Sequence, residues 1–352
     1  MNTSSQDLAG FGWSNFFQSQ LTADELTGSV PVRVTVAHRN GLDVAHPDFA
    51  ERVPLLTTEP HDEEGRATVG DWILLDAESH APQRLLDRKT LFKRKAAGAD
   101  RRVQLIAANV DTLLVVSSCN QDFNPARLER YLVLARDAGV MPVVVLTKAD
   151  LAEDTETYRR QAEKLMPGLL VECINARSRE GVASLLPWCG NGQTVALVGS
   201  SGVGKSTLVN TLAGEAIQET QGIRASDAHG RHTTSGRSLH RLDTGGWLLD
   251  TPGMRELQLL DAEAGVEDLF TDVFELATEC RFSDCGHETE PGCAVRAAVE
   301  AGTLDPERLK RFRKLVAEEA YNSLSLADRR ARDKGFGKMI KAVVKEKKGR
   351  WE

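Results

Sequence analysis

Residues 199–206 read Gly199-Ser200-Ser201-Gly202-Val203-Gly204-Lys205-Ser206, with Thr207 following. Three glycines let a backbone curl until successive N–H groups converge on phosphate oxygens, and a helix starting just beyond adds its positive end. In this pattern Lys205 reaches the β- and γ-phosphates and the Ser206 hydroxyl ligates magnesium. The context is the one such a loop needs. An apolar run, Thr194-Val195-Ala196-Leu197-Val198, feeds it, and Ser206-Thr207-Leu208-Val209-Asn210 opens a helix. Strand, loop and helix in that order belong to a mostly parallel α/β sheet.

Near-continuous Val and Leu runs predict strands over 111–117, 142–147, 169–174, 194–199 and 246–250, with an amphipathic helix over 125–138. Runs of this kind indicate a sheet covered on both faces, with ligand loops at the carboxyl ends of its strands. Three further motifs fall there. Asp250-Thr251-Pro252-Gly253 follows the phosphate loop, with Asp250 placed to hold magnesium and the Gly253 amide free to meet a γ-phosphate. Thr147-Lys148-Ala149-Asp150 precedes it. The Asp150 carboxylate suits the N1–H and N2 donors of guanine, and the Lys148 stem can lie along the base. Thr147 stands where Asn is usual, and its hydroxyl can still bond to neighbouring loops. Asn175 and Ala176, after another buried strand, can offer backbone N–H groups to guanine O6; Ser is commoner than Asn at the first position.

The base-reading motif thus comes before the phosphate loop rather than after it, which is the order of a circularly permuted GTPase. Between phosphate loop and Asp250 lies Gly230-Arg231-His232-Thr233-Thr234. One of Thr233 and Thr234 supplies a magnesium-binding hydroxyl, and the sequence does not choose between them. Met254 follows Gly253 and cannot orient water as a Gln would, so intrinsic hydrolysis is expected to be slow. His232 is the nearest titratable substitute, set against the plainer reading of an exposed loop histidine.

Of six cysteines, Cys119, Cys173 and Cys189 sit in apolar surroundings and read as small buried hydrophobes. The other three form a cluster, Cys280-x4-Cys285-x-His287-x5-Cys293. Three thiolates and an imidazole suit one tetrahedral zinc ion with no open position, hence a structural site.

Ahead of the α/β region, short alternating strands broken by turns, such as Val32-Arg33-Val34-Thr35-Val36 before Asn40-Gly41, predict a small barrel from about residue 30 to 103. Phe49, Trp72 and Phe92 are its aromatics, too few to argue for sequence-specific base stacking. Phe11, Trp13, Phe16 and Phe17 of the N-terminal extension, 1–29, are expected to dock on the barrel. The division continues with an α/β unit over 104–262 and a helical, zinc-binding unit with a basic tail over 263–352.

A net charge of -7 excludes a uniformly basic nucleic-acid binder but conceals two basic segments. Residues 84–102 carry eight Lys or Arg against two Asp, and 329–352 carry ten against three acids. Basic segments near opposite ends of an acidic chain suggest a polyanion gripped from two sides. Apolar runs are only strand-sized and no basic-then-apolar leader opens the sequence, so a cytoplasmic protein without a membrane partner is expected.

The combination of TKAD, GSSGVGKST, GRHTT, DTPG and the Cys/His cluster, behind a barrel ending near Gln104-Leu105-Ile106-Ala107-Ala108-Asn109-Val110-Asp111, closely resembles the ribosome small-subunit-dependent GTPase A family, also called YjeQ or EngC. The resemblance runs from about residue 30 to the C-terminus. It implies an N-terminal barrel of the oligonucleotide-binding type, a central permuted GTPase domain and a C-terminal zinc domain. It also implies GTP hydrolysis to GDP with Mg2+, stimulation by the small ribosomal subunit during its late maturation, contacts to ribosomal RNA, and a hydrolytic role for His232. A monomer is the expectation. Two other readings compete: an RNA-binding scaffold whose nucleotide only stabilises the fold, and a phosphotransferase acting on a small molecule.

Overall fold

Three short helices open the chain: α1 (Ser5–Ala9), α2 (Asn15–Gln18) and α3 (Glu25–Gly28). The computed structural model describes residues 5–56, 62, 64–95, 103–214, 237–250 and 262–323. These helices are too short to be stable alone, and they are held by aromatic side chains buried against the rest of the molecule. The Trp13 ring lies 4.8 Å from Trp72 and Phe17 lies 5.8 Å from Trp72, centroid to centroid. Phe11 packs instead on Trp247, at 5.2 Å, and the Trp247 indole N–H donates to the Gly10 carbonyl at 3.0 Å. The extension therefore docks on the barrel, as expected, and also on the α/β unit, while Phe16 remains exposed.

The barrel strands are β1 (Ser29–His38), β2 (Gly41–Ala45), β3 (Ala50–Val53), β4 (Trp72–Asp76), β5 (Pro82–Leu85), β6 (Leu91–Lys95) and β7 (Val103–Ala108). The pairings β1–β2, β2–β3, β1–β4, β4–β5 and β6–β7 are all antiparallel. Alternation along β4 serves two cores at once. Ile73 and Leu75 join Val32, Val34, Leu42, Val44 and Val53 inside the barrel, while Trp72 and Leu74 belong to the larger core shared with the α/β unit. Hence all four are buried, where a strand with one wet face would alternate. The boundary expected at 103/104 falls at the start of β7, which completes a hairpin with β6.

The α/β unit runs β8 (Thr112–Ser118), α4 (Pro125–Asp137), β9 (Met141–Thr147), α5 (Thr155–Glu163), β10 (Leu170–Cys173), β11 (Thr194–Gly199), α6 (Lys205–Ala213), β12 (Ser238–Arg241) and β13 (Trp247–Asp250). The sheet order is β10-β9-β8-β11-β13, parallel throughout, and all seven residues of β8 are buried at its centre. Asn124 starts α4 by accepting from the Arg127 N–H at 3.1 Å, with Pro125 in the first turn, where its missing N–H costs nothing. Antiparallel β12 pairs with β13 on one side and meets β1 at Val36↔Ser238 on the other. Barrel and α/β unit thus share one continuous sheet.

That junction buries a cation. Arg33 of β1, 1% exposed, donates to the Phe11 carbonyl at 2.6 Å and to the Thr194 hydroxyl at 2.7 Å. Burial pulls its pKa down to about 10, against the attraction of Asp111 and Asp71.

Four helices complete the described chain: α7 (Glu263–Leu269), α8 (Thr271–Ala277), α9 (Ala294–Glu300) and α10 (Pro306–Ser323). Phe312 of α10 packs on Phe270, between α7 and α8, at 5.3 Å. Polar groups join α10 to α8 and α4. Arg308 makes a two-pronged contact with Asp272 at 2.6 and 2.8 Å and donates to the Leu269 carbonyl at 2.9 Å. Arg311 meets Glu129 of α4 at 2.7 Å. Burial raises the Glu129 pKa, and Arg311 and Arg308 hold it back. Among the described residues, no helix is long and apolar enough to cross a membrane.

Candidate nucleotide site and metal cluster

Strand register brings the two reversed motifs together. On β8, Val116 pairs with Gly199 of β11, and Ser118 pairs with Thr147 of β9. The phosphate loop and the Thr147–Asp150 segment therefore leave the same carboxyl edge of the sheet, with one strand between them. Chain order does not affect this, because sheet neighbours are set by pairing and not by sequence distance.

Gly199 has a φ of 149°, and a Cβ there would come 2.2 Å from the Val116 carbonyl oxygen, so the strand can turn into the loop only at glycine. Gly204 caps α6 in a left-handed conformation, φ 93°. The Lys205 ammonium rests on the Ser200 carbonyl. Ser201, Gly202 and Val203 form the turn between them, and Ser206 and Thr207 occupy the first turn of α6.

Thr147, 1% exposed, takes the place where Asn is usual and uses its hydroxyl across the loops. Its Oγ1 lies 2.5 Å from the Val203 carbonyl and 3.1 Å from that of Ser117. Lys148 is left-handed at φ 59°, with its Nζ 3.9 Å from Asp122. Asp150 sits exposed in a short 3-10 turn, Ala149–Leu151. The Ala149 N–H donates to the Ile174 carbonyl at 3.2 Å, which ties this turn to the segment holding Asn175 and Ala176. Thr211 of α6 donates to the Ala176 carbonyl at 2.7 Å, so the phosphate-loop helix touches that segment as well.

Asp250 closes β13 opposite Ser238. His232, Thr233, Thr234 and Gly253 lie outside the described residues, as does the basic segment 329–352. Where residues 84–95 are described, their cations have internal partners. Arg84 pairs with Glu25 and Lys93 with Glu64, each at 2.8 Å, and Arg88 pairs with fully buried Asp71 at 2.7 Å. Burial raises the Asp71 pKa, opposed by Arg88. This stretch offers less free charge to a polyanion than its composition implies, because the fold uses three of its cations as structural ties.

Cys280, Cys285, His287 and Cys293 converge, with all ligand atoms within 4.8 Å of one another. Cys280 Sγ lies 3.7 Å from His287 Nδ1 and 3.9 Å from Cys293 Sγ, and Cys293 Sγ lies 3.4 Å from His287 Nδ1. Zinc with bonds of about 2.3 Å to sulfur and about 2.0 Å to nitrogen spaces tetrahedral ligands roughly 3.5–3.8 Å apart, so the residues fit the ion. Burial pushes the Cys280 thiol up, but the backbone amides of Val295 and Ala294 outweigh it and the net shift is downward. Burial also lowers the His287 pKa, favouring the neutral ring a metal needs. The other three cysteines are free; Cys119 and Cys189 are buried and Cys173 is half-buried.

The sequence model of the RsgA GTPase family matches residues 85–260. A small ribosomal subunit biogenesis GTPase RsgA of Vibrio parahaemolyticus is 49% identical over 99% of this chain and 96% of its own. The chain belongs to the RsgA GTPase family. Another member, from Mesorhizobium japonicum, is 53% identical over 92% of this chain and 93% of its own. The crystal structure of YjeQ from Thermotoga maritima superposes with a TM-score of 0.60 at 26% identity, covering 82% of this chain and 98% of that one. YloQ, described as a circularly permuted GTPase, shares the fold at a TM-score of 0.58 and 23% identity, covering 87% and 100%. Membership makes this RsgA-family chain a GTPase, and the permuted architecture read from motif order is the architecture found.

One contact at the site escaped the sequence reading. Arg127 of α4 donates to the Ser200 hydroxyl. The available signal was its position just beyond β8, since loops at the carboxyl ends of parallel strands converge on ligands.

Proposed function

We propose that this chain binds GTP with Mg2+, hydrolyses it to GDP and phosphate, and uses the change as a switch in late maturation of the small ribosomal subunit. The observation that carries the reading is the paired register at Val116↔Gly199 and Ser118↔Thr147, which sets base-reading and phosphate-binding loops on one edge. The names of the Vibrio and Mesorhizobium relatives supply the assembly step.

In this scheme the amides of 199–206 and the Lys205 ammonium cradle the phosphates. Asp150 accepts from guanine N1–H and N2, Lys148 lies along the base, and an amide of Asn175 or Ala176 donates to O6. Thr147 keeps base loop and phosphate loop in register. Ser206, one of Thr233 and Thr234, and Asp250 would hold Mg2+, which would supply neutralisation of phosphate charge. His232 orients the attacking water in the absence of a Gln, and the Gly253 amide distinguishes triphosphate from diphosphate. Cys280, Cys285, His287 and Cys293 would hold a structural zinc ion that cross-links their loop.

The switch has a structural route to the barrel. Residues 232–234 lead into β12, which pairs with β1, and Arg237 just before β12 donates to the Leu105 carbonyl of β7. Contacts made there with GTP would be passed to the strand joining the two units. The barrel and the basic tail then contact ribosomal RNA. We place the chain in the cytoplasm as a monomer, divided into extension, barrel, permuted GTPase unit and zinc-binding unit.

GTP turnover measured with purified small subunits, large subunits and neither, across a salt series, tests this. Small subunits alone should stimulate, and stimulation should fall steeply with salt as phosphate contacts weaken. Equal rates in all three conditions would overturn the ribosomal role. ATP competing as well as GTP would overturn the guanine assignment.

A further inference from the structure

Helix α4 begins at the carboxyl end of β8, the strand between phosphate loop and base loop. Its first turn is pinned by the Asn124 side chain accepting from the Arg127 N–H at 3.1 Å. From that fixed backbone the Arg127 guanidinium crosses to the phosphate loop and donates to the Ser200 hydroxyl. Lys205 meets the carbonyl of the same residue. Two cations, one on α4 and one on α6, thus converge on Ser200.

Two of the neighbouring cations on this surface, Arg130 and Arg311, are neutralised. Arg130 pairs with Glu318 at 2.6 Å and Arg311 with Glu129 at 2.7 Å. Arg127 is exposed, and among the described residues its partner is a neutral hydroxyl, not a carboxylate. It borders a cavity of about 220 Å3 between α4 and α10, lined also by Arg130, Arg311 and Lys314. A guanidinium without a counter-ion, held at the rim of a phosphate loop, suits an anion that arrives with the ligand.

We infer that Arg127 is a further phosphate-contacting residue of the GTPase, donating in cis to the terminal phosphate of bound GTP. The inference rests on the guanine-nucleotide reading above. The β-phosphate belongs over the N-terminus of α6, where the loop amides point. The terminal phosphate extends away from that helix, to the group that Lys205 must also reach. Ser200 is where the Lys205 ammonium and the Arg127 guanidinium meet, and of the two phosphates Lys205 serves we assign the guanidinium to the terminal one. A guanidinium there stabilises charge developing on the transferred group. With Met254 in place of a glutamine, the site has need of such a group.

The test compares wild type, Arg127→Ala and Arg127→Lys in the full chain. Affinities for GDP and for the non-hydrolysable imido analogue of GTP are measured by calorimetry, and single-turnover GTP hydrolysis with and without small subunits. Arg127→Ala should weaken the analogue about tenfold or more, leave GDP within about twofold, and slow single-turnover hydrolysis about 10- to 100-fold. Arg127→Lys should recover part of the analogue affinity and less of the rate, because an ammonium lacks the fork. Equal weakening of both nucleotides would make Arg127 a shaper of the loop and overturn the inference, as would no change in either. Lost small-subunit stimulation with intact triphosphate preference would also overturn it, assigning Arg127 to the ribosome-facing surface. Matching thermal unfolding checks the fold of Arg127→Ala, with Arg127→Gln as its replacement. If wild type itself bound no guanine nucleotide, the underlying reading would fail instead.

Discussion

The Thr147 hydroxyl lies 2.5 Å from the Val203 carbonyl oxygen, joining two loops 56 residues apart in the chain. Thr147→Val keeps the shape and removes the donor, leaving a buried carbonyl without this partner at a cost of about 1–3 kcal/mol. GTP affinity should fall about tenfold as the loops lose their mutual register, while Thr147→Asn, which restores an N–H donor, should bind close to wild type. Calorimetric titration checks this; wild-type affinity in Thr147→Val would show that the hydroxyl does not couple the loops.

Arg308 of α10 lies between Asp272 of α8 and, at 3.5 Å, Glu129 of α4, which Arg311 also meets at 2.7 Å. The Arg308 side chain is 10% exposed and that of Glu129 fully buried. Removing Arg308 strands buried acceptors and unbalances Glu129, so Arg308→Ala should cost about 3–5 kcal/mol. Urea unfolding measures the loss. A loss under about 1 kcal/mol would mean that apolar packing at Phe270 and Phe312 suffices.

Acid should weaken one polar tie of the N-terminal extension, the Glu25–Arg84 pair. Glu25 accepts from Arg84 at 2.8 and 2.9 Å, and these bonds, with the Thr22 N–H, lower its pKa from 4.5 to about 2. Because the folded value is the lower one, the contribution is complete above pH 4.5 and is lost as pH falls toward about 2. The stability measured by urea unfolding should fall over that window, and Glu25→Gln should remove this pH dependence. An unchanged acid profile in Glu25→Gln would assign the transition to other groups.

One zinc ion per chain should co-purify, and Co2+ in its place should give the thiolate charge-transfer bands of a tetrahedral site. Chelation or Cys293→Ser should lower the melting temperature and lose helix at α9, since Cys293 Sγ also accepts from the Arg296 N–H at 3.4 Å at its start. Metal analysis finding no ion in wild type would refute the assignment.

The sequence on its own located the loop motifs and specified the class of fold. Gly199 to Ser206, Thr147 to Asp150 and the Cys/His cluster are contiguous stretches, and each function depends on local backbone shape and residue type that short-range order specifies. Buried parallel strands were legible for the same reason: β8 and β9 are built on the apolar runs Leu113 to Val116 and Val143 to Leu146. Where distant groups meet is a matter of packing that no local stretch specifies. Arg127 on Ser200, Thr147 on Val203, Trp13 on Trp72 and the capture of Arg84, Arg88 and Lys93 by internal carboxylates depend on strand pairing and helix packing. Composition counts a cation without saying whether a carboxylate faces it. Long-range pairing selects those neighbours, because it sets which side chains share a desolvated volume.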